Sequence, residues 1–256
     1  LAAHIGDGLS RWTRNPLGVI RDGFEPCRDH GYQIVRTWVN LPDVGYWAGR
    51  GVGPRLQANY RQMLDSYLRV GADHQLQFHL CCGALDSMNN AEENDLIDLV
   101  ADVVKEVEKG YGPVVALNEV VNEVAFTGDP DDMDPLELTR IRDRFTARCG
   151  RSSVLTALTA YMGHEEIALF RQFTPNSQGF VYYHSDRGGV TADKVRHAFS
   201  MKYEVVRGFR SLLWSGEPPG PGPRVSAISG EPELREAEAL ALLAAAQLAG
   251  GVYTFF

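Results

Sequence analysis

The feature that most constrains the fold of this chain is a regular alternation of strand-like and helix-like segments. Short runs rich in β-branched and aromatic residues are separated by segments with the periodicity of amphipathic helices. The predicted strands are, in chain order, Leu1–Ile5, Tyr32–Val39, His74–Cys82, Val114–Leu117, Val154–Ala160, Phe180–His184, Ser211–Ser215 and Val252–Phe256. Each repeat is roughly 30 residues long, which is the size of one βα unit.

Seven predicted helices connect these strands, and most of them end at a glycine. They are Pro16–His30, Pro54–Val70, Ala91–Lys109, Pro135–Cys149, His164–Phe173, Thr191–Val206 and Glu231–Leu248. Eight strands alternating with seven helices predict a single (β/α)₈ TIM barrel over residues 1–256, with its last helix missing. An open doubly wound sheet is the alternative, but Gly6-Asp7-Gly8 lacks the third glycine of its phosphate-binding fingerprint.

Charge and composition argue against several classes of partner. The chain carries 33 acidic and 25 basic residues, a net charge of -8, whereas nucleic acids and anionic membranes are bound by basic faces. No apolar run approaches the roughly 20 residues of a membrane span. The four cysteines fit no zinc-binding spacing, and we interpret them as buried thiols. We expect neither nucleic acid nor a membrane as partner.

The polar residues that end the predicted strands indicate where chemistry would occur, because reactive groups in a (β/α)₈ barrel lie at the carboxyl ends of the strands. The sequence places basic, acidic, amide and aromatic side chains there: Arg36, Trp38, His79, Glu119, Asn122, Glu123, Tyr183, His184 and Glu217. Aromatic rings stack on the apolar faces of sugars, and acids and amides bind hydroxyl groups. This set favours a carbohydrate ligand.

Two of these carboxyl groups meet the minimum requirement for cleaving a glycosidic bond. One carboxyl must donate a proton, and the other must act as an ionised nucleophile or base. Glu123 follows the fourth strand and Glu217 the seventh, and these strands lie on opposite sides of an eight-stranded barrel mouth. The topology therefore predicts Glu123 and Glu217 as the catalytic pair.

The segment around Glu123 resembles the strand-four signature of the clan A glycoside hydrolases. That signature reads Glu-x-x-Asn-Glu, and Glu119, Asn122 and Glu123 stand at its three fixed positions. The resemblance implies that Asn122 binds the 2-hydroxyl of the sugar and that Glu123 is the acid/base. Glu217 closes the seventh strand, where the clan places its nucleophile, so the resemblance implies that role for it.

The same resemblance implies roles at three other strand ends. Arg36 matches an arginine that the clan carries near the end of strand two, and Tyr183 or His184 matches the residue that orients the nucleophile. We also expect Trp38 and His79 to bind substrate. Arg36 could equally be a paired arginine of the core, and Trp38 either a packing residue or a sugar platform.

Several alternatives remain open at this point. We interpret Glu119 as structural, paired with Arg36, and Glu231 as a residue that complements a helix start, although its Ser-Gly-Glu-Pro context repeats that of Glu217. A metal-dependent barrel hydrolase would use His79 and His184 with Asp7 or Glu217. A non-catalytic glycan-binding or structural module of a larger assembly, such as a virion or tail component, is the other alternative.

The sequence thus predicts a retaining glycoside hydrolase that acts on an oligo- or polysaccharide and needs neither cofactor nor metal. Because the chain begins at Leu1 without a methionine and lacks a last helix, we also expect it to be compatible with excision from a longer protein with flanking domains. The sequence leaves its location open, and we favour an extracellular or particle-associated site over the cytoplasm.

Overall fold

A parallel β-sheet forms the centre of the computed structural model, which describes residues 2–5, 8–39, 58–81, 90–119, 135–150, 180–183, 212–215 and 252–255. Within these ranges the strands are β1 (Ala2–His4), β2 (Ile34–Trp38), β3 (Gln77–Cys81), β4 (Val115–Glu119), β5 (Phe180–Tyr183), β6 (Leu212–Ser215) and β7 (Val252–Phe255). Their order across the sheet is β4-β3-β2-β1-β7-β6-β5, and every pairing is parallel.

The position of β1 between β2 and β7 is the informative feature of this order. The strands follow the chain in both directions from β1, so the described strand that comes last in sequence lies beside the first. The two edges of the sheet are β4 and β5, and residues 120–179 connect them in the sequence. The predicted strand Val154–Ala160 and the predicted helices after residue 150 lie outside the described residues.

Six α-helices lie among the described residues: α1 (Gly8–Arg14), α2 (Pro16–Val19), α3 (Glu25–Asp29), α4 (Tyr60–Asp73), α5 (Asn90–Tyr111) and α6 (Pro135–Cys149). None of the helices in this part of the chain is long and apolar enough to span a membrane. The predicted helix Pro16–His30 contains α2, a π-helical turn over Ile20–Phe24, and α3. At the end of this turn the Glu25 N–H donates to Ile20 O, an i→i+5 bond, and Pro26, the next residue, has no N–H to donate.

The core lies between one face of the sheet and the helices, where apolar residues repeat at helical spacing. In α6 the buried residues Ile141, Phe145 and Cys149 lie four apart, so one stripe of the helix packs inward. Around β3 the packing is aromatic. The Phe78 ring lies 5.2 Å from the Tyr67 ring and 6.0 Å from the Phe24 ring, measured between centroids.

The predicted end of the second helix, at Gly71, is wrong. We predicted that the helix would stop at this glycine, but α4 continues to Asp73. A Cβ atom at Gly71 would lie 2.2 Å from Cζ of Phe78, so the glycine is there to admit the ring rather than to end the helix. Gly110 likewise lies inside α5, and the left-handed residue after that helix is Gly112, with a φ of 72°.

An arginine–aspartate ladder joins the outer sides of α5 and α6. Arg144 contacts both carboxylate oxygens of Asp98 at 2.7 Å. Arg148, one turn later, contacts Asp102 at 2.7 and 2.8 Å and Asp98 at 2.9 Å. The Arg148 guanidinium lowers the pKa of the Asp102 carboxyl. The ladder aligns the two helices that flank β4 in the sequence.

Candidate active site at the carboxyl edge of the sheet

The carboxyl ends of the strands share one edge of the sheet, because all the described strands are parallel. The pairing register brings Trp38, Cys81 and Glu119 to the same level at the ends of β2, β3 and β4. At the other side of β1, Tyr183 of β5 pairs with Ser215 of β6. Neighbouring strands lie about 4.8 Å apart, so the ends of β2, β3 and β4 form one continuous group.

The two faces of the sheet differ in chemistry. Phe78 and Leu80 of β3 are fully buried and belong to the hydrophobic core, and Phe78 contacts the helices through Gly71. Side chains alternate along a strand, so His79 and Cys81 lie on the opposite face. In register with them on β2 are Arg36 and Trp38. We call this set, Arg36, Trp38, His79 and Cys81, the mouth-face cluster.

Arg36 is the largest fully buried side chain among the described residues, with 0% of its surface exposed. Its Nη2 donates a hydrogen bond to Sγ of Cys81 at 3.5 Å. Its guanidinium carbon lies 5.1 Å from the centroid of the Trp38 ring, which is within the range of a cation–π interaction. A charge taken out of water must be compensated by its surroundings, so this strand end is a strongly polarised environment.

Trp38 is the last residue of β2, whereas His79 is the third of the five residues of β3. His79 is fully buried and pairs in register with Arg36. Trp38 is half-buried, and one face of its ring is engaged by the Arg36 guanidinium. The structure therefore brings together Arg36, Trp38 and His79, although the sequence could place them only on separate strand ends.

A second Asn-Glu pair, Asn118-Glu119, lies within β4 itself. Asn118 is buried and pairs in register with Leu80, so it lies on the helix face, away from the mouth-face cluster. β4 runs two residues beyond its predicted end and terminates at Glu119. Because Asn118 faces the helices, it is badly placed to bind a sugar at the strand ends. Its neighbour Glu119 pairs in register with Cys81, and the predicted pair Asn122-Glu123 lies outside the described residues.

Of the remaining predicted site residues, the structure describes the backbone of Tyr183 alone. Tyr183 is the last residue of β5, and Glu217 stands two positions after Ser215, the last residue of β6. Asn122, Glu123, His184 and Glu217 lie outside the described residues, as do Asp7 and Glu231. Their roles stay predictions.

Cys81 is the member of the cluster that sequence reasoning missed. We interpreted it only as a buried thiol, yet its sulfur accepts a hydrogen bond from Arg36. The available signal was its position two residues after His79, which puts both side chains on one face of a strand. Its contact with Arg36 also requires the register between β2 and β3, which the sequence does not contain.

Within the described ranges, no group of three or more His, Cys, Asp or Glu residues could hold a metal ion. The cluster contains an arginine in register with its histidine, and a permanent positive charge beside an imidazole opposes binding of a cation. The chemistry available on this face is recognition of hydroxyl groups and carboxylates by a guanidinium, and stacking on an indole.

Comparison with known proteins places this arrangement in a structural context. No protein-family model matches the chain, and no curated protein sequence matches it. A β-1,4-mannanase from the sea hare Aplysia kurodai is 12% identical with a TM-score of 0.60, over 100% of this chain and 87% of the mannanase. An endoglucanase from Pseudomonas stutzeri is 13% identical with a TM-score of 0.59, over 92% of this chain and 76% of the enzyme.

A glycoside hydrolase family 5 enzyme from Prevotella bryantii gives the same result, with 10% identity and a TM-score of 0.63 over 100% of this chain and 88% of that enzyme. At these identities the similarity establishes the fold alone. These enzymes are (β/α)₈ barrels. In fold, the chain therefore resembles glycoside hydrolases of the kind that the motifs indicated.

Proposed function

We propose that this chain is a retaining glycoside hydrolase whose catalytic pair is Glu123 and Glu217. The observation that carries the proposal is the mouth-face cluster: polar and aromatic side chains gather at the carboxyl edge of a parallel sheet whose fold resembles glycoside hydrolases. Glu123 follows β4 by four residues and Glu217 follows β6 by two. Because each follows a strand that ends at this edge, our proposal puts both glutamates at the same edge as the cluster.

The reaction proceeds in two steps on these carboxyl groups. Glu123 protonates the leaving oxygen while Glu217 attacks the anomeric carbon, which gives a covalent glycosyl-enzyme. Water then attacks that intermediate, with Glu123 as general base, and the sugar leaves with its original configuration. Asn122 holds the 2-hydroxyl, and His184 or Tyr183 orients Glu217. The reaction requires no cofactor and no metal.

Within this scheme the half-buried Trp38 of the mouth-face cluster contacts the substrate, and the fully buried Arg36 sets the electrostatics of the site. The Arg36 guanidinium favours ionised carboxyl groups nearby, because an opposite charge lowers the pKa of a carboxyl. The half-buried Trp38 leaves part of its ring for a sugar, and His79 supplies a hydrogen-bonding group at the next strand. The similar structures include a β-1,4-mannanase and an endoglucanase, so β-1,4-linked mannans and glucans are the first substrates to test.

We also propose that the sheet closes into a (β/α)₈ barrel in one domain. Among the described strands, β4 and β5 are the two end strands of the sheet, and residues 120–179 connect them in the sequence. A strand at 154–160 would pair with both of them, and closure into a barrel leaves a sheet without edges. It also carries Glu123 and Glu217 to opposite sides of one mouth.

The test replaces each glutamate with glutamine and measures hydrolysis of aryl glycosides and of polymeric mannan and glucan. We expect Glu217→Gln to abolish turnover on every substrate. Glu123→Gln should lower kcat by roughly 10²–10⁴-fold on natural substrates. The loss of kcat in Glu123→Gln should be far smaller on a dinitrophenyl glycoside, because that leaving group departs without a proton.

Glu231→Gln is the matched control, since Ser229-Gly230-Glu231-Pro232 repeats the context of Glu217. Its activity should equal that of the parent protein. Full activity in the Glu123→Gln, Glu217→Gln double variant would refute the assignment, and an inverted first product, measured by ¹H NMR of the anomeric proton, would refute retention. Binding of glycans with no hydrolysis on any substrate would instead identify a non-catalytic carbohydrate-binding module.

A further inference from the structure

Arg36 is held on two sides by described neighbours. The Trp38 ring, 5.1 Å from the guanidinium carbon, lies over the planar group. The Cys81 sulfur, 3.5 Å from Nη2, accepts a hydrogen bond at its edge. A cation–π contact does not by itself prevent the guanidinium from turning within its own plane. A hydrogen bond at one edge opposes that turn.

Cys81 is itself firmly placed. It is the last residue of β3, pairs in register with Trp38 on one side and Glu119 on the other, and is fully buried. Its carbonyl accepts a hydrogen bond from Val39 N–H at 2.9 Å, which extends the pairing of β2 and β3 beyond the last register pair. The sulfur therefore has a fixed position from which to orient a neighbour.

We propose that Cys81 is a positioning residue that fixes the orientation of the Arg36 guanidinium toward the carboxyl edge of the sheet. Its consequence for catalysis rests on the proposed glycosidase function. Small errors in the placement of a charged group near reacting atoms cost large factors in rate. A residue that never touches the substrate thereby affects turnover through the arginine.

The chemistry separates this role from simple packing. Sulfur is a weak hydrogen-bond acceptor, and a serine hydroxyl also accepts, so Cys81→Ser keeps the contact while it shortens the side chain. Cys81→Ala removes the acceptor and leaves a small cavity. Cys81→Val removes the acceptor but fills the space, which keeps the test available if the alanine variant folds poorly.

The kinetic test compares these three variants with Cys27→Ala. Cys27 is another buried thiol, 7% exposed, which belongs to the hydrophobic core away from Arg36. We expect Cys81→Ala and Cys81→Val to lower kcat by roughly tenfold, the scale of one hydrogen bond to a charged group. Cys81→Ser should recover most of the loss, and Cys27→Ala should keep the parent kcat while its thermal midpoint falls about as far as that of Cys81→Ala. Equal kcat in all four variants, or no recovery with serine, would overturn the proposal.

A second readout does not depend on activity. In protein labelled with ¹⁵N-arginine, the side-chain signals of Arg36 are assigned by their loss in Arg36→Lys. We expect slow rotation and slow hydrogen exchange of its Nη groups in the parent and in Cys81→Ser, and faster exchange in Cys81→Ala. Unchanged Arg36 signals in Cys81→Ala would refute the positioning role whatever the protein hydrolyses. Changed signals in a protein that cleaves no glycoside would support the positioning role and reject the proposed function.

Discussion

Replacing Gly71 with alanine should destabilise the protein, although glycine to alanine inside a helix usually does the opposite. Gly71 lies within α4, where alanine is favoured over glycine by about 1 kcal/mol. Against this gain stands the Phe78 ring. The new Cβ would lie 2.2 Å from Cζ and 2.7 Å from Cε2 of that ring, far inside van der Waals contact.

The ring cannot move aside at low cost. Phe78 is fully buried, and its centroid lies 5.2 Å from that of Tyr67 and 6.0 Å from that of Phe24. Its backbone is also fixed, because Phe78 N–H donates a hydrogen bond to Val114 O at 2.8 Å. Overpacking of a dense core costs about 1–3 kcal/mol, and a clash with two ring atoms belongs at the upper end. We expect a net loss of about 2 kcal/mol, or roughly 4–8 °C in Tm.

Gly110→Ala is the matched control, because Gly110 also lies in a helix near its carboxyl end. The nearest atom to a Cβ at Gly110 is Nη1 of Arg69 at 3.9 Å, so nothing opposes the helical preference, and we expect a gain of about 0.5–1 kcal/mol. Urea denaturation followed by circular dichroism measures both variants. Equal shifts of the same sign would refute the reasoning, whereas recovery of stability in Gly71→Ala, Phe78→Leu would support it.

Two further predictions concern ionisable groups. Asp102→Asn removes one of the two carboxylate partners of Arg148, and since both side chains are about one-third exposed or more we expect a loss of only about 0.5–1 kcal/mol in urea denaturation at neutral pH. The Arg148 guanidinium lowers the pKa of Asp102, so its contribution to stability is complete above the unfolded-state pKa of about 4. That contribution is lost as the pH falls through the lower folded-state pKa, and a stability difference that does not shrink as the pH is lowered below about 4 would contradict this. Burial raises the pKa of the Cys27 thiol to about 11, above its value of about 8.5 in an unfolded chain. The free energy of unfolding should therefore fall as the pH rises from about 8.5 to 11, and that of Cys27→Ala should fall less steeply over the same interval.

The sequence predicted the elements of the fold better than their ends. The helix α6 has the predicted bounds, because Pro135 begins it and Gly150, with a φ of 76°, follows it. At Gly71 the same signal was wrong, since a glycine that ends a helix and one that admits a ring look alike without the contact partner. The helix Gly8–Arg14 was not predicted, because Gly6-Asp7-Gly8 was interpreted as the close of a strand.

The site divides in the same way. Strand-end position and resemblance predicted Arg36, Trp38 and His79, and the structure places all three on the mouth face. Cys81 and the position of Asn118 on the helix face could not be predicted. Both depend on strand register, and the pairing of β3 with β4 contains an irregularity between Phe78 and His79. A shift of one residue in register changes which face a side chain occupies.

The contrast between the two faces of β3 argues that the mouth face is functional. On the helix face, β3 buries the apolar side chains of Phe78 and Leu80 in the hydrophobic core. The other face instead buries Arg36, His79 and Cys81, where a charge and an imidazole are expensive to desolvate. Departures from a local rule concentrate at functional sites. Substitutions on the helix face, such as Gly71→Ala, should therefore change stability at constant kcat, whereas Cys81→Val on the mouth face should change kcat more than stability.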